Sequence, residues 1–182
     1  MQQLTRPARR ALLVAHVVTS AGWLGLALAL LCLGVAGAAG GSPALDRAAY
    51  RAMAVLGQWP LGTVALLSLV TGLVLSLGTR WGLARHWWVV TKFWLTLATT
   101  GLTLFLLPGT LRDAAADAAA GGQVEAAHLL VPPSVSLSAY VFMTAISVLK
   151  PWGPTRHGRR LQRARPVRTR ARARARRVAS RS

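Results

Sequence analysis

The sequence predicts an all-α protein: a four-helix transmembrane bundle with short loops and a disordered basic C-terminal tail. Three observations predict it. Of 182 residues, 53% are hydrophobic and only 14% charged, against about 25% charged in an average soluble domain. The apolar residues fall into four runs, each long enough to cross a hydrocarbon core about 30 Å thick. The charge is lopsided, with 22 Lys+Arg against 4 Asp+Glu, and 13 of those cations lie at or after Lys150. The chain therefore divides into an N-terminal tail (1–10), a membrane body (11–150) and an arginine-rich tail (151–182).

The first run, Ala11 to Gly40, contains no charged residue and predicts a span over about 11–38. A secretory leader is the competing reading of its basic start. Leader cores are only about 7–15 residues long, so the longer run favours a span. Residues 41–52 read as a short polar link. The second span covers 53–78, with Trp59 and Pro60 near its start. The third covers 87–107 and ends at Pro108-Gly109. Residues 109–127 hold Arg112, Asp113, Asp117 and Glu125, and predict a short surface helix broken at Gly121-Gly122. The fourth span covers 129–149, starting or kinking at Pro132-Pro133, which lack backbone donors. Cys32 is the single cysteine. It makes no internal disulfide and reads as a buried, inert thiol.

Cation counts orient the bundle. Arg6, Arg9 and Arg10 precede the first span, Arg80 and Arg85 lie in the central turn, and 13 cations follow the last span. The two remaining loops hold Arg47, Arg51 and Arg112. The positive-inside rule then predicts both termini and the central turn in the cytoplasm. Trp59, Trp81, Trp87, Trp88 and Trp152 fall near span ends and read as interfacial anchors.

Between membrane helices apolar burial gives no drive, so small residues and hydroxyls must supply the packing. Ala21, Gly25 and Ala29 repeat at spacing four in the first span, and Ser68, Gly72 and Ser76 do so in the second. We expect those faces to meet. Thr91, Thr96, Thr99, Thr100 and Thr103, with Ser134, Ser136, Ser138 and Thr144, offer hydroxyls on the third and fourth spans.

Ionisable groups at membrane depth are costly and mark candidate sites. His16, His86 and Lys92 share one depth range on the cytoplasmic side, and Thr19 or Ser20 and then Trp23 follow His16 on its helix face, at offsets of three, four and seven. One reading makes His16 and His86 ligands of a haem or a copper ion. The other makes His86 an interfacial residue beside Trp87 and Trp88, bonds His16 to a neighbouring hydroxyl, and lets Lys92 extend to the headgroups. Two histidines with no nearby carboxylate or paired cysteine make a sparse ligand set, so we favour no metal and no cofactor. The four acidic residues fall in outer loops, and GxSxG, P-loop and HExxH patterns are missing, so we expect no enzyme. A small-molecule transporter or channel subunit ranks third.

In the tail, Arg159, Arg160, Arg163, Arg165, Arg168, Arg170, Arg172, Arg174, Arg176 and Arg177 fill half of the twenty residues from 158 to 177. Their repulsion forbids a packed core. Beside a spanning helix they should lie on anionic lipid headgroups at about 1 kcal/mol per cation. Nucleic acid is the less favoured partner, because no aromatic residue after Trp152 is available to stack on bases. A homo-oligomer or a membrane partner protein remains open.

Three stretches carry a resemblance. The central TRWGLARHWWVVTKFW (79–94), the exit SVLKPWG (147–153) and the opening LLVAHVVTSAGWLG (12–25) are similar to a family of four-helix integral membrane proteins. That family is widespread in actinobacteria and catalogued as a domain of unknown function. The matching positions are His16, Trp23, Trp81, Gly82, His86, Trp88, Lys92, Lys150 and Pro151, within residues 10–153. The resemblance implies a bacterial plasma membrane protein with four spans and carries no catalytic role. The prolines at 132 and 133 depart from the family's more Gly-rich helix start. The first-helix pattern of His followed by Trp-x-Gly also resembles four-helix segments linked to copper handling. The resulting expectation is a non-enzymatic structural or accessory membrane component.

Overall fold

The computed structural model describes residues 4–78, 86–122, 124–156 and 158–160. Among the described residues the main helices are α1 (Arg6–Ala38), α2 (Pro43–Gln58), α3 (Pro60–Gly78), α4 (Trp87–Phe105), α5 (Leu107–Ala119) and α6 (Ala126–Leu149). They make four rods long and apolar enough to cross a membrane: α1, α2 with α3, α4 with α5, and α6. The protein is an all-α four-helix transmembrane bundle.

Two rods are broken where the sequence places proline. Pro60 follows the break at Trp59, and Pro108 follows the break at Leu106. α3 and α4 each contain 19 residues, or about 28 Å of helix, close to the hydrocarbon thickness. Trp59 is 80% exposed at one end of α3, and Phe105 is 85% exposed at the matching end of α4. The two ends are level, because a Cβ on Gly62 would stand 3.0 Å from the Leu104 side chain.

Beyond those breaks α2 and α5 pair as a second layer. The stretch 41–52, expected as a polar link, is helical from Pro43 onward. Ser42 caps it, accepting from the Leu45 N–H at 3.3 Å, and Pro43 and Asp46 suit the first turn. α5, expected as a surface helix, buries Leu111, Ala114 and Ala118 against α2. Its Leu111 side chain occupies the space a Cβ on Gly57 would need. Tyr50 of α2 closes likewise on Gly37 of α1. α5 does end at the expected Gly121-Gly122 turn, with Gly121 at φ 77°.

α6 begins at Ala126 and runs through Pro132 and Pro133. A proline has no N–H for the carbonyl four residues back, so Pro133 leaves Leu129 O without its helical donor. That carbonyl lies 3.4 Å from where a Cβ on Gly34 would be, so the bare Gly34 gives it room against α1. α1 and α3 do pack together, as expected, through Ser68 and Gly72 on α3. The α1 face is different: Ala21 and Gly25 are exposed, and Gly25 has open space around it. His16 and Ser20 make the contact instead, and further along the helix Trp23 and Ala27 are buried. Cys32 is exposed on α1, not buried, since it lies off that face.

Candidate functional site

Three helix ends meet at the end of the bundle opposite α2 and α5: the start of α1, the end of α3 and the start of α4. Leu4 N–H donates to Gly78 O at 3.4 Å and holds the first two level. Between these helices lies a cavity of about 240 Å³. Arg9, Ser76 and Trp88 stand at its rim, and Ser68 and Thr96 lie two turns deeper. Leu13, Leu69, Leu73, Val89 and Phe93 supply apolar wall. His16 and Lys92 line it at middle depth.

His16 is seated by α3. Its Nδ1 lies 3.1 Å from Ser68 O and 3.1 Å from Thr71 Oγ1. The Thr71 hydroxyl donates to Leu67 O at 2.7 Å, so it accepts from the ring. Both contacts therefore make Nδ1 the protonated nitrogen and leave Nε2 as the second, cavity-side position. The ring approaches because α3 has glycine at 72: a Cβ there would stand 2.9 Å from His16 Cε1. One turn further, Ser20 Oγ and Ser68 Oγ are 2.8 Å apart. The bond between His16 and a neighbouring hydroxyl is thus present, joined by a backbone carbonyl.

Lys92 is turned inward, not out to the headgroups. Its Nζ donates to Ser147 Oγ of α6 at 3.1 Å. Next to it, Thr96 Oγ1 donates to Lys92 O at 2.8 Å and contacts Met143 Sδ at 3.1 Å. The hydroxyls of these helices are expected to bond back to preceding carbonyls or across to a neighbour; Thr96 does both, and Thr99 bonds back within α4 to Leu95 O and Thr96 O. Ser134, Ser138 and Thr144 face outward. The polar tie on α6 is Ser147, which hydroxyl counting did not single out.

His86 stands apart from this cavity. It is the N-cap of α4, its ring 6.4 Å from that of Trp88. Its backbone forms an isolated antiparallel bridge with Pro154. His16 and Lys92 are therefore brought together, and His86 lines a different surface. Among the described residues, no three of His, Cys, Asp and Glu are grouped to hold a metal ion. His128 is at the far end, 3.5 Å from Glu125.

The segment after α6 folds back over α4. Lys150 caps α6 in the left-handed region, at φ 47° and ψ 52°. The turned chain brings Gly153 O to the Trp87 N–H at 3.5 Å. Thr155 Oγ1 then accepts from the Gly158 N–H at 3.0 Å, and Arg159 Nη1 donates to Pro154 O at 3.2 Å. The start of α4 and the 150–154 exit, two of the stretches that carry the resemblance, are thus one surface. Trp87 and Trp152 are exposed there, whereas Trp88 points into the cavity wall. Arg160 is exposed. Trp81 and the arginines from Arg163 onward lie outside the described residues. No family model, curated protein or solved structure matches this chain.

Proposed function

We propose that this chain is a non-enzymatic structural or accessory component of a bacterial plasma membrane, related to the actinobacterial four-helix family it resembles. Both termini lie in the cytoplasm, and the working surface is the cytoplasmic rim. The observation that supports this most is the fold-back of 150–154 onto His86 and Trp87. It joins the start of α4, the Lys150-Pro151-Trp152 corner and the root of the basic tail into one shaped surface. The cation distribution supports the orientation, since the arginines concentrate at this end and all four acids lie on α2, on α5 or before α6. The exposed rings of Trp59 and Phe105 at one level, and of Trp87 and Trp152 at the other, fit two headgroup belts.

A pair of fusions behind Ser182 tests it. Green fluorescent protein should fluoresce and alkaline phosphatase should stay inactive. The reverse pattern refutes the orientation. A photocrosslinker at Trp152 should then capture either a second copy or a membrane partner from native membrane. No capture there, with capture at Trp59 on the opposite end, would move the working surface.

A further inference from the structure

We propose that the α1–α3–α4 cavity binds one small amphipathic anion, its oxyanion head at Lys92 and His16 and its apolar part along Leu13, Leu69 and Phe93. Lys92 lies five residues into α4, about 7 Å along the helix, and its Nζ donates to a neutral hydroxyl, Ser147 Oγ. Lys92 is half-buried at membrane depth, where an ammonium is stabilised by a counter-charge. Among the described residues no acidic side chain stands near it. All four of the chain's acidic side chains, Asp46, Asp113, Asp117 and Glu125, stand at the other end of the bundle. The neighbours of Lys92 around the cavity are themselves basic: Arg9 at the rim and His16 opposite. Three basic side chains around one space, with no acidic side chain among the described residues near enough to answer them, fit an anion brought from outside.

Size and lining narrow its class. About 240 Å³ is several times the roughly 30 Å³ share of one water and just below the roughly 300 Å³ where drug-sized pockets begin. Leucine, valine and phenylalanine supply six of the fourteen lining residues, with Gly72 and Trp88 beside them. A bare inorganic ion would leave that apolar wall unused. A carboxylate or phosphate joined to an alkyl chain uses both parts. Lys92 has two further N–H bonds to give after Ser147. With Nδ1 held by Ser68 O, His16 offers Nε2, which donates to an oxyanion once the ring is protonated. The two sources of such a group are a free fatty-acid-like amphiphile and the headgroup of an anionic lipid.

Native mass spectrometry of the full chain, released from a non-ionic detergent, tests the proposal. Dodecanoate, phosphatidylglycerol and inorganic phosphate are offered in separate arms. One equivalent of dodecanoate or of phosphatidylglycerol should be retained, and the arm that gives the adduct identifies the source. Lys92→Met should weaken retention about tenfold, the loss of one charged contact, and Lys92→Arg should restore most of it. Leu13→Trp fills the cavity from its open side and should also displace the ligand. That variant carries the test if Lys92→Met is not recovered folded. Retention unchanged in Lys92→Met, or in Leu13→Trp where that variant carries the test, overturns the proposal. So does inorganic phosphate bound as tightly as either amphiphile, or no adduct in any arm. None of these results depends on which side of the membrane the termini occupy.

Discussion

His16 of α1 lies against Gly72 of α3, close enough that a Cβ at position 72 would stand 2.9 Å from its Cε1. That closeness lets Nδ1 reach Ser68 O at 3.1 Å. Gly72→Ala should therefore push the ring off its carbonyl and destabilise the α1–α3 contact by about 1–3 kcal/mol, as overpacking does. Gly25→Ala, on the same pair of helices but with open space around it, should be neutral or slightly stabilising. Thermal unfolding in detergent, followed by circular dichroism, compares the two. Equal midpoints for both variants would remove the close packing at Gly72 from the account.

Trp23 and Tyr140 form the aromatic centre of the bundle. Their rings are edge to face, with centroids 5.1 Å apart at 82°. Both are buried, yet neither Trp23 Nε1 nor Tyr140 Oη has a hydrogen-bond partner among the described residues. A buried polar group without a partner costs about 1–3 kcal/mol. Tyr140→Phe keeps the ring contact and removes that cost, so it should leave stability unchanged or raise it. Trp23→Ala should lose about 3–5 kcal/mol, as other large-to-small core changes do. A drop in midpoint for Tyr140→Phe would reveal a partner for that hydroxyl.

The four spans were legible because apolar run length is a physical requirement of the bilayer. The α1 rotation was partly legible. His16, Ser20 and Trp23 share one face, and that face is the one used. The small-residue stripe Ala21, Gly25 and Ala29 pointed elsewhere, since Gly and Ala at spacing four recur by chance in so apolar a helix. The first part of α2, residues 43–52, reads as a link for a related reason, whereas 53–58 falls inside the expected second span. Asp46, Arg47 and Arg51 make 41–52 look like a loop when polarity is measured against a membrane. Ser42 and Pro43 nevertheless spell a helix start, and α2 continues past the level of Trp59 to pair with α5. Ser147 was hidden because nothing in the sequence says which serine faces Lys92.

Lys150 is the one non-glycine residue at positive φ among the described residues. It directly precedes Pro151, which further restricts its backbone. An L-residue in the left-handed region costs roughly 1–2 kcal/mol. Lys150→Gly should relieve that strain and raise the unfolding midpoint, with the 3.0 Å bond from its N–H to Ile146 O kept. Lys150→Val, branched at Cβ, should lower it and loosen the bridge between His86 and Pro154. Hydrogen exchange at the Trp87 amide reads that loosening directly. An amide equally protected in both variants would show that the corner does not depend on the Lys150 backbone.

The basic tail makes a prediction that salt decides. A peptide of residues 158–182 carries eleven arginines and no acid. Near an anionic surface each cation contributes about 1 kcal/mol, and the attraction is screened as the Debye length falls from about 10 Å at 0.1 M salt to about 3 Å at 1 M. The peptide should therefore bind vesicles containing phosphatidylglycerol at low salt, ignore neutral phosphatidylcholine vesicles, and be released at 1 M salt. Changing every second arginine to glutamine should weaken binding steeply, while scrambling the order should not, because attraction to a charged surface depends on the number of cations rather than their order. Duplex DNA added as competitor separates lipid from nucleic acid as the preferred anion. Binding to neutral vesicles, or binding that survives high salt, would mean that something other than arginine charge holds the peptide to the vesicle.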